Sequence, residues 1–245
     1  MGAFASHIIF GWEGKKKWQE CGMLSVCRKH QGIFEMGCQG PDLFLYNPAM
    51  LFSTYDKNLG ERMHVEKCGR FMACLADVIR QQEEKEAVEV GLSYLMGLLA
   101  HYTLDTSLHP YVYARTGYDP ADPYAPKATM GIHFRLEAAI DANLIAQKLG
   151  IMPNAFYPEK MMHAEKKEKT SVAEMIAQSV SCCYHLNLKK EAVLDSMFMM
   201  QHIVPQFFDR TGRRKKYLSK FEFPIWEDGL FSNLFVEDAY VGKHG

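Results

Sequence analysis

The stretch LSYLMGLLAHYTLDTSLHPYVY, residues 92–113, decides the fold because small and polar side chains recur along it at every fourth position. These residues are Ser93, Gly97, His101, Asp105 and His109. Residues four apart lie along one face of an α-helix, and leucines flank this face on both sides. A polar row bordered by leucine predicts a buried helix whose aspartate and histidines need partners inside the protein.

A second stretch, ATMGIHFRLEAAIDANLIAQKLG at residues 128–150, repeats the pattern with His133 and Glu137 four apart. The two helices therefore offer a His-x3-Asp pair and a His-x3-Glu pair, and each pair suits a divalent metal ion. Pro110 directly follows His109. We therefore expect the first helix to end there, which frees His109 to join the pair on the second helix.

Helical periodicity dominates the whole chain of 245 residues, and alternating strand patterns are nearly absent. This predicts an all-α protein, a single multi-helix domain over residues 1–245 with an internal metal-cluster site and long loops. The loops fall at residues 37–60 and 110–128, where proline and glycine are frequent. The predicted helices cover residues 3–12, 19–31, 61–82, 86–109, 130–149, 170–186 and 189–209. Gly150, with Lys148 just before it, predicts where the fifth of them ends.

The charge balance excludes a dedicated polyanion-binding protein, because 28 Lys and Arg face 29 Asp and Glu, for a net charge of -1. No apolar run is long enough for a transmembrane helix. The N-terminus lacks the pattern of a secretory signal, and the seven cysteines form no CxxC motif, so we expect reduced thiols and a cytoplasmic protein.

The basic run RTGRRKKYLSK (210–220) is typical of either an anion contact or a solvated helix end. The apolar tail FPIWEDGLFSNLFVEDAY (223–240) is expected to pack over the core.

The order of the histidines and carboxylates resembles the zinc-dependent phospholipase C family, whose superfamily also includes fungal single-strand nucleases. The resemblance covers residues 1 to about 150 and lies in His7, Asp42 within GCQGPDLFLY, His64, HYTLDTSLH (101–109) and HFRLE (133–137). It implies a single all-α domain that holds a cluster of two or three zinc ions.

The resemblance also implies a set of metal ligands. Asp42, His64, His101 and Asp105 would hold one zinc ion. Asp105 would bridge to a second ion that is also held by His7. His109, His133 and Glu137 would hold a third.

The same resemblance implies a mechanism, in which zinc-bound hydroxide attacks the phosphorus of a phosphodiester in line with the leaving group. Asp42 would serve both as a ligand and as the catalytic general base that orients the water. Secreted choline-preferring members carry aromatic residues at the positions of Leu43 and Glu61. An aromatic box for a quaternary ammonium group is therefore not expected at these two positions.

Six further residues each have more than one interpretation. Asp141, one turn beyond Glu137, is expected either to support the metal ligands or to have a capping or surface role. The other five histidines have no carboxylate at ligand spacing and are expected to be surface or ordinary core residues. They are His30, His163, His185, His202 and His244.

The leading hypothesis is a phospholipase C-like hydrolase that acts on a small phosphodiester or a phospholipid headgroup. One alternative is a nuclease or phosphomonoesterase of the same superfamily, with Tyr111, Tyr113 and Tyr118 as stacking platforms. The other is a non-catalytic domain stabilised by metal, which an incomplete ligand set or a site closed to solvent would favour. No stable nucleic-acid partner is expected, and the sequence leaves the oligomeric state open.

Overall fold

In a computed structural model of the chain, residues 3–18, 22–47, 59–119, 127–222 and 229–242 are described. These residues form helices and contain no strand, which confirms the all-α prediction. No helix among them is long and apolar enough to cross a membrane. The α-helices are α1 (Phe4–Lys16), α2 (Met23–Lys29), α3 (Gln31–Gln39), α4 (Asp42–Leu45), α5 (Leu59–Val65), α6 (Cys68–Arg80), α7 (Lys85–Thr116), α8 (Lys127–Leu144), α9 (Lys166–Tyr184), α10 (Lys190–Ile203) and α11 (Arg213–Glu222).

The chain divides into two compact units, and α1, α7 and α10 each contain a boundary between them. The unit that contains α3, called the α3 unit below, comprises residues 10–102 and 160–202. The unit that contains α8, called the α8 unit, comprises residues 1–9, 103–159 and 203–245. The organisation as a single domain stays a prediction.

In the α3 unit, the polar row of α7 lies along α3. The Ser93 hydroxyl donates to the carbonyl oxygen of His30 over 3.1 Å. One turn later the two backbones approach so closely that a Cβ at Gly97 would lie 2.2 Å from the Phe34 carbonyl oxygen. Glycine is therefore required there, since any larger residue would push the helices apart. The predicted burial of this row is confirmed for Ser93 and His101, which are both fully buried.

The expected end of the first metal-binding helix at Pro110 is wrong, because α7 continues to Thr116. A proline inside a helix removes one backbone hydrogen bond, to the residue four positions earlier. That residue is Thr106, which is exposed, and the helix of 32 residues is continuous on both sides of the proline. The loop predicted at 110–128 therefore begins after Thr116, and residues 120–126 lie outside the described part of the chain.

Other boundaries also differ from the prediction. The helix expected over 61–82 is interrupted at Lys67, whose φ of 54° places it in the left-handed region. The hydroxyl of Tyr184, at the end of α9, donates to the Glu66 carbonyl oxygen over 2.8 Å and holds this break. Residues 32–39 and 213–222 lie outside the predicted helices, yet they belong to α3 and α11.

In the α8 unit, α8 continues as a π-helical turn over Ile145–Leu149 and stops at Gly150, as predicted. The described part of the tail packs over α8 through the 3₁₀ helix Phe231–Leu234, and Leu230 and Leu234 form a buried cluster with Phe134. This agrees with the expectation for the tail, of which residues 223–228 lie outside the described residues.

Candidate metal centre

His7 on α1 and Asp105 on α7 meet inside the α8 unit, and both are buried. His7 Nδ1 lies 2.9 Å from the carbonyl oxygen of Ala3, and its Nε2 lies 3.1 Å from Asp105 Oδ1. A carbonyl oxygen only accepts, so Nδ1 carries the hydrogen and the lone pair of Nε2 faces a carboxylate oxygen. Two acceptors face each other in this arrangement, which a cation between them would stabilise.

Asp141 on α8 fixes the first turn of α1, next to His7. Its carboxylate accepts from the backbone N–H of Ala5 (3.0 Å), from that of Ser6 (2.7 Å) and from the Ser6 hydroxyl (2.5 Å). Burial raises the pKa of Asp141 to about 6, although these three hydrogen bonds oppose the rise. Asp141 therefore caps the first turn of α1, and through α1 it positions His7.

A second cluster in the α8 unit consists of His109, His133 and Glu137, whose candidate ligand atoms all lie within 4.8 Å of one another. Glu137 Oε1 is 3.0 Å from His133 Nε2 and 3.7 Å from His109 Nε2. Asp105 Oδ1 lies 3.6 Å from His109 Nε2 and so connects this cluster to His7. His109 thus lies close to His133 and Glu137 although the helix that carries it does not end at Pro110.

The carboxylate of Glu137 is buried and only half satisfied, because no hydrogen-bond partner for Oε2 exists among the described residues. Burial disfavours its charged form, but the charge of His133 and the hydrogen bonds from His109 and His133 lower the pKa of Glu137 below its usual range. A buried anionic oxygen without a partner is costly. A divalent cation is the kind of partner that this donor set fits.

Aromatic side chains surround this second cluster. The Tyr113 hydroxyl is 3.2 Å from His109 Nδ1, and the Tyr113 ring stacks on both His109 and His133, with ring centroids 5.0 and 5.8 Å apart. The ring of Tyr118 lies 5.0 Å from that of His133. Burial, together with the charges of Asp105 and Glu137, raises the pKa of Tyr113 to about 12, so its hydroxyl keeps its proton at neutral pH. The i,i+4 spacing of His109 and Tyr113 is the sequence signal that could have revealed this contact.

Asp42, His64 and His101 come together in the α3 unit. His64 Nε2 lies 3.2 Å from Asp42 Oδ1 and 3.3 Å from His101 Nε2. The Nδ1 atoms of the two rings face the carbonyl oxygens of Gly60 (2.7 Å) and Cys38 (3.1 Å). Both Nδ1 atoms therefore carry hydrogens, and the two Nε2 lone pairs point at each other, as in a pair of metal ligands.

The electrostatics of Asp42 also suit a cation. Burial penalises its charge, yet nearby positive charge lowers the pKa of Asp42 to about 2, and the imidazoles of His64 and His101 contribute to this charge when they are protonated. Asp42 is therefore a carboxylate throughout the neutral range. His101 and Asp105 stand one turn apart on α7, so this helix contributes a residue to the donor groups of both units.

The eight predicted ligands therefore form two donor groups, five of them in the α8 unit and three in the α3 unit. All the residues that carry the family resemblance lie within one matched region. The family model for zinc dependent phospholipase C matches residues 3–184. The chain belongs to the zinc-dependent phospholipase C family. This membership supports a phospholipase C-like hydrolase and zinc as its metal. Among curated proteins and among solved structures, none matches the chain.

The remaining histidines take no part in these groups. His30 is buried, with Nδ1 2.5 Å from Glu168 Oε1 and Nε2 3.7 Å from Glu89 Oε2. These carboxylates belong to distant parts of the sequence, which is why no local spacing revealed them. His163, His185 and His202 are exposed, and His244 lies outside the described residues.

Proposed function

We propose that the chain is a zinc-dependent phosphodiesterase that cleaves the headgroup phosphodiester of a phospholipid. The observation that carries this proposal is the convergence of His109 and His133 on Oε1 of Glu137, whose other oxygen, Oε2, is buried without a partner among the described residues. Family membership adds the zinc and the class of reaction. The metal ligands in this proposal are those of the sequence analysis: His7, Asp42, His64, His101, Asp105, His109, His133 and Glu137.

The zinc ions, when bound, supply positive charge for the phosphoryl oxygens and acidify a water molecule. The side chains of this protein do the rest. His7, His64 and His101 are held by backbone carbonyl oxygens, so their Nε2 atoms are aimed before any ligand arrives. Asp42, as a carboxylate, accepts a hydrogen bond from the attacking water and orients it.

Solvent access favours the catalytic role over the non-catalytic alternative. A metal site that serves only stability is closed on all sides. Here each group keeps one partly exposed ligand, since the side chain of His64 is 18% exposed and that of His109 is 23% exposed. These two imidazoles give a substrate a way to reach the metals.

A nuclease remains the second candidate, because Tyr113 and Tyr118 place two aromatic rings against His133. Aromatic rings bind unpaired bases by stacking. They also suit the apolar part of a lipid headgroup, and the name of the family favours the lipid. The identity of the headgroup and the cytoplasmic location stay predictions.

The test is a hydrolysis assay of the zinc-loaded full chain on three substrates: phospholipid in mixed micelles, single-stranded DNA and a phosphomonoester. We expect release of diacylglycerol from the lipid and much slower turnover of the other two. Asp42→Asn should lower kcat on the order of 100-fold or more, since it removes the group that orients the water.

The matched control is Asp77→Asn, which changes an exposed aspartate on α6 and should leave kcat unchanged. Absence of hydrolysis of any phosphodiester by the zinc-loaded chain would overturn the proposal. Cleavage of DNA without cleavage of lipid would replace it with the nuclease.

A further inference from the structure

Helix α11 carries the basic run that the metal centre does not use. Its solvent side bears four cationic side chains and two aromatic ones, all exposed. They are Arg213, Arg214, Lys216, Tyr217, Lys220 and Phe221, called the α11 face below. Tyr217 and Phe221 are 65% and 75% exposed, although large aromatic rings are usually covered in soluble proteins. They lie one turn apart, so the two rings stand side by side on the helix.

The inner side of the helix has the opposite character. Glu222 is buried, and its carboxylate accepts from the backbone N–H groups of Leu230 (3.2 Å), Phe231 (2.7 Å) and Ser232 (2.9 Å). The Lys215 ammonium turns inward to Glu237 and to the hydroxyl of Tyr240. The position of α11 is therefore fixed by its inner side, and the α11 face has no role in this packing.

The charges of the α11 face are not neutralised locally. In the described part of the chain, no carboxylate forms an ion pair with Arg213, Arg214, Lys216 or Lys220. The chain as a whole has a net charge of -1, so this concentration of positive charge is local. Lys220 Nζ lies 5.9 Å from the centre of the Tyr217 ring, which places a cation beside an exposed aromatic ring.

We infer that the α11 face docks the protein onto the surface of an anionic phospholipid bilayer. Lysine and arginine side chains are attracted to anionic headgroups, while exposed aromatic rings enter the boundary between headgroups and acyl chains. A nucleic acid duplex would use the cations, but its paired bases give the two rings no apolar layer to enter, and the lipid substrate of the proposed function favours a bilayer over a single strand. The inference rests on the proposed function, because it names the surface on which that substrate lies.

The α11 face also belongs to the same unit as part of the metal centre. Glu222 holds the 3₁₀ helix Phe231–Leu234, and this helix packs on α8, where Phe134 is the neighbour of His133. At this contact a Cβ at Gly131 would lie 2.3 Å from the Gly229 carbonyl oxygen, so the two segments pack without a gap. The α11 face and the segment that carries His133 therefore belong to one closely packed part of the α8 unit.

The experiment is cosedimentation of the zinc-loaded full chain with vesicles of phosphatidylcholine alone, or of phosphatidylcholine and phosphatidylserine in equal parts. We expect binding to the anionic vesicles that weakens as salt is added, and little binding to the neutral ones. The triple change Arg213→Ser, Lys216→Ser and Lys220→Ser should lower the partition on the order of 100-fold. Tyr217→Ser with Phe221→Ser should lower it on the order of 10-fold.

A charge-matched control removes three exposed lysines elsewhere, by Lys16→Ser, Lys85→Ser and Lys167→Ser, and should bind as the unchanged protein does. Anionic vesicles that fail to bind the unchanged protein, or that bind the α11 triple variant equally well, would overturn the inference. So would tight binding to DNA in place of vesicles.

Hydrolysis of a water-soluble phosphodiester separates this inference from the proposed function. The α11 variants should retain that hydrolysis in full and lose only turnover on vesicles. If the unchanged protein binds anionic vesicles but hydrolyses nothing, the proposed function fails and the docking surface stands. If the variants also lose hydrolysis of the soluble substrate, the changes act on the metal centre and the inference fails.

Discussion

Three of the five histidine side chains in the two donor groups share one local feature. In His7, His64 and His101, Nδ1 is used by a backbone carbonyl oxygen, which leaves Nε2 to face another donor atom. Hydrogen bonding of this kind fixes the tautomer and the direction of an imidazole before a metal binds. The residue that most needs a cation is Glu137, whose second oxygen is buried without a partner among the described residues.

Glu137→Gln tests this residue directly. The amide keeps the shape of the side chain but removes the charge, and we expect zinc affinity to fall on the order of 100-fold at the weakest-held ion. Competition with a coloured zinc chelator measures the affinity. Glu86→Gln, which changes an exposed glutamate on α7, is the control and should match the unchanged protein. Equal affinity in the two variants would mean that Glu137 does not bind metal.

Among the helices, α7 has the central place because its polar row serves two purposes. Its first half packs against α3 through Ser93 and Gly97. Its second half presents Asp105 and His109 to His7 and Glu137. The helix α1 has no such row, and its position depends on the carboxylate of Asp141.

Asp141→Ala should therefore affect both stability and metal binding. It leaves three buried donors on Ala5 and Ser6 unsatisfied, and we expect a loss of about 3 kcal/mol in the free energy of unfolding. Urea unfolding of the metal-free protein measures this. Asp209→Ala, which removes the partly exposed carboxylate bound by the first N–H groups of α11, should cost only about 1 kcal/mol. Similar costs for both changes would contradict the role given to Asp141.

The sequence was sufficient for features whose parts are close along the chain. The polar row of α7 and the His133–Glu137 pair follow from a spacing of four residues, and the stop at Gly150 follows from its freedom to adopt a positive φ. Contacts between distant segments left no local signal. Asp141 and Ser6 are 135 residues apart, and His30 and Glu168 are 138 apart. The continuation of α7 beyond Pro110 was not predicted either. A proline costs a helix one hydrogen bond, and in a helix of 32 residues the remaining residues outweigh that loss.

At the scale of the whole molecule, the net charge is small, but charged side chains are concentrated in particular places. The net charge is -1, yet the α11 face is strongly basic and the two donor groups collect carboxylates and imidazoles in buried or half-buried positions. Whole-chain composition excluded a surface made for polyanions. It gave no information about a local basic helix or about positive charge that metal ions would bring.

The most direct test of the metal centre is the zinc content of the purified protein, measured by elemental analysis on the unchanged chain and on Asp105→Asn. Asp105 lies 3.1 Å from His7 and 3.6 Å from His109, so its charge supports more than one neighbour. We predict two or three zinc ions per chain in the unchanged protein and at least one fewer in the variant, with phosphodiester hydrolysis lost alongside. A chain without zinc, or an Asp105→Asn variant with the full zinc content and full activity, would contradict the account.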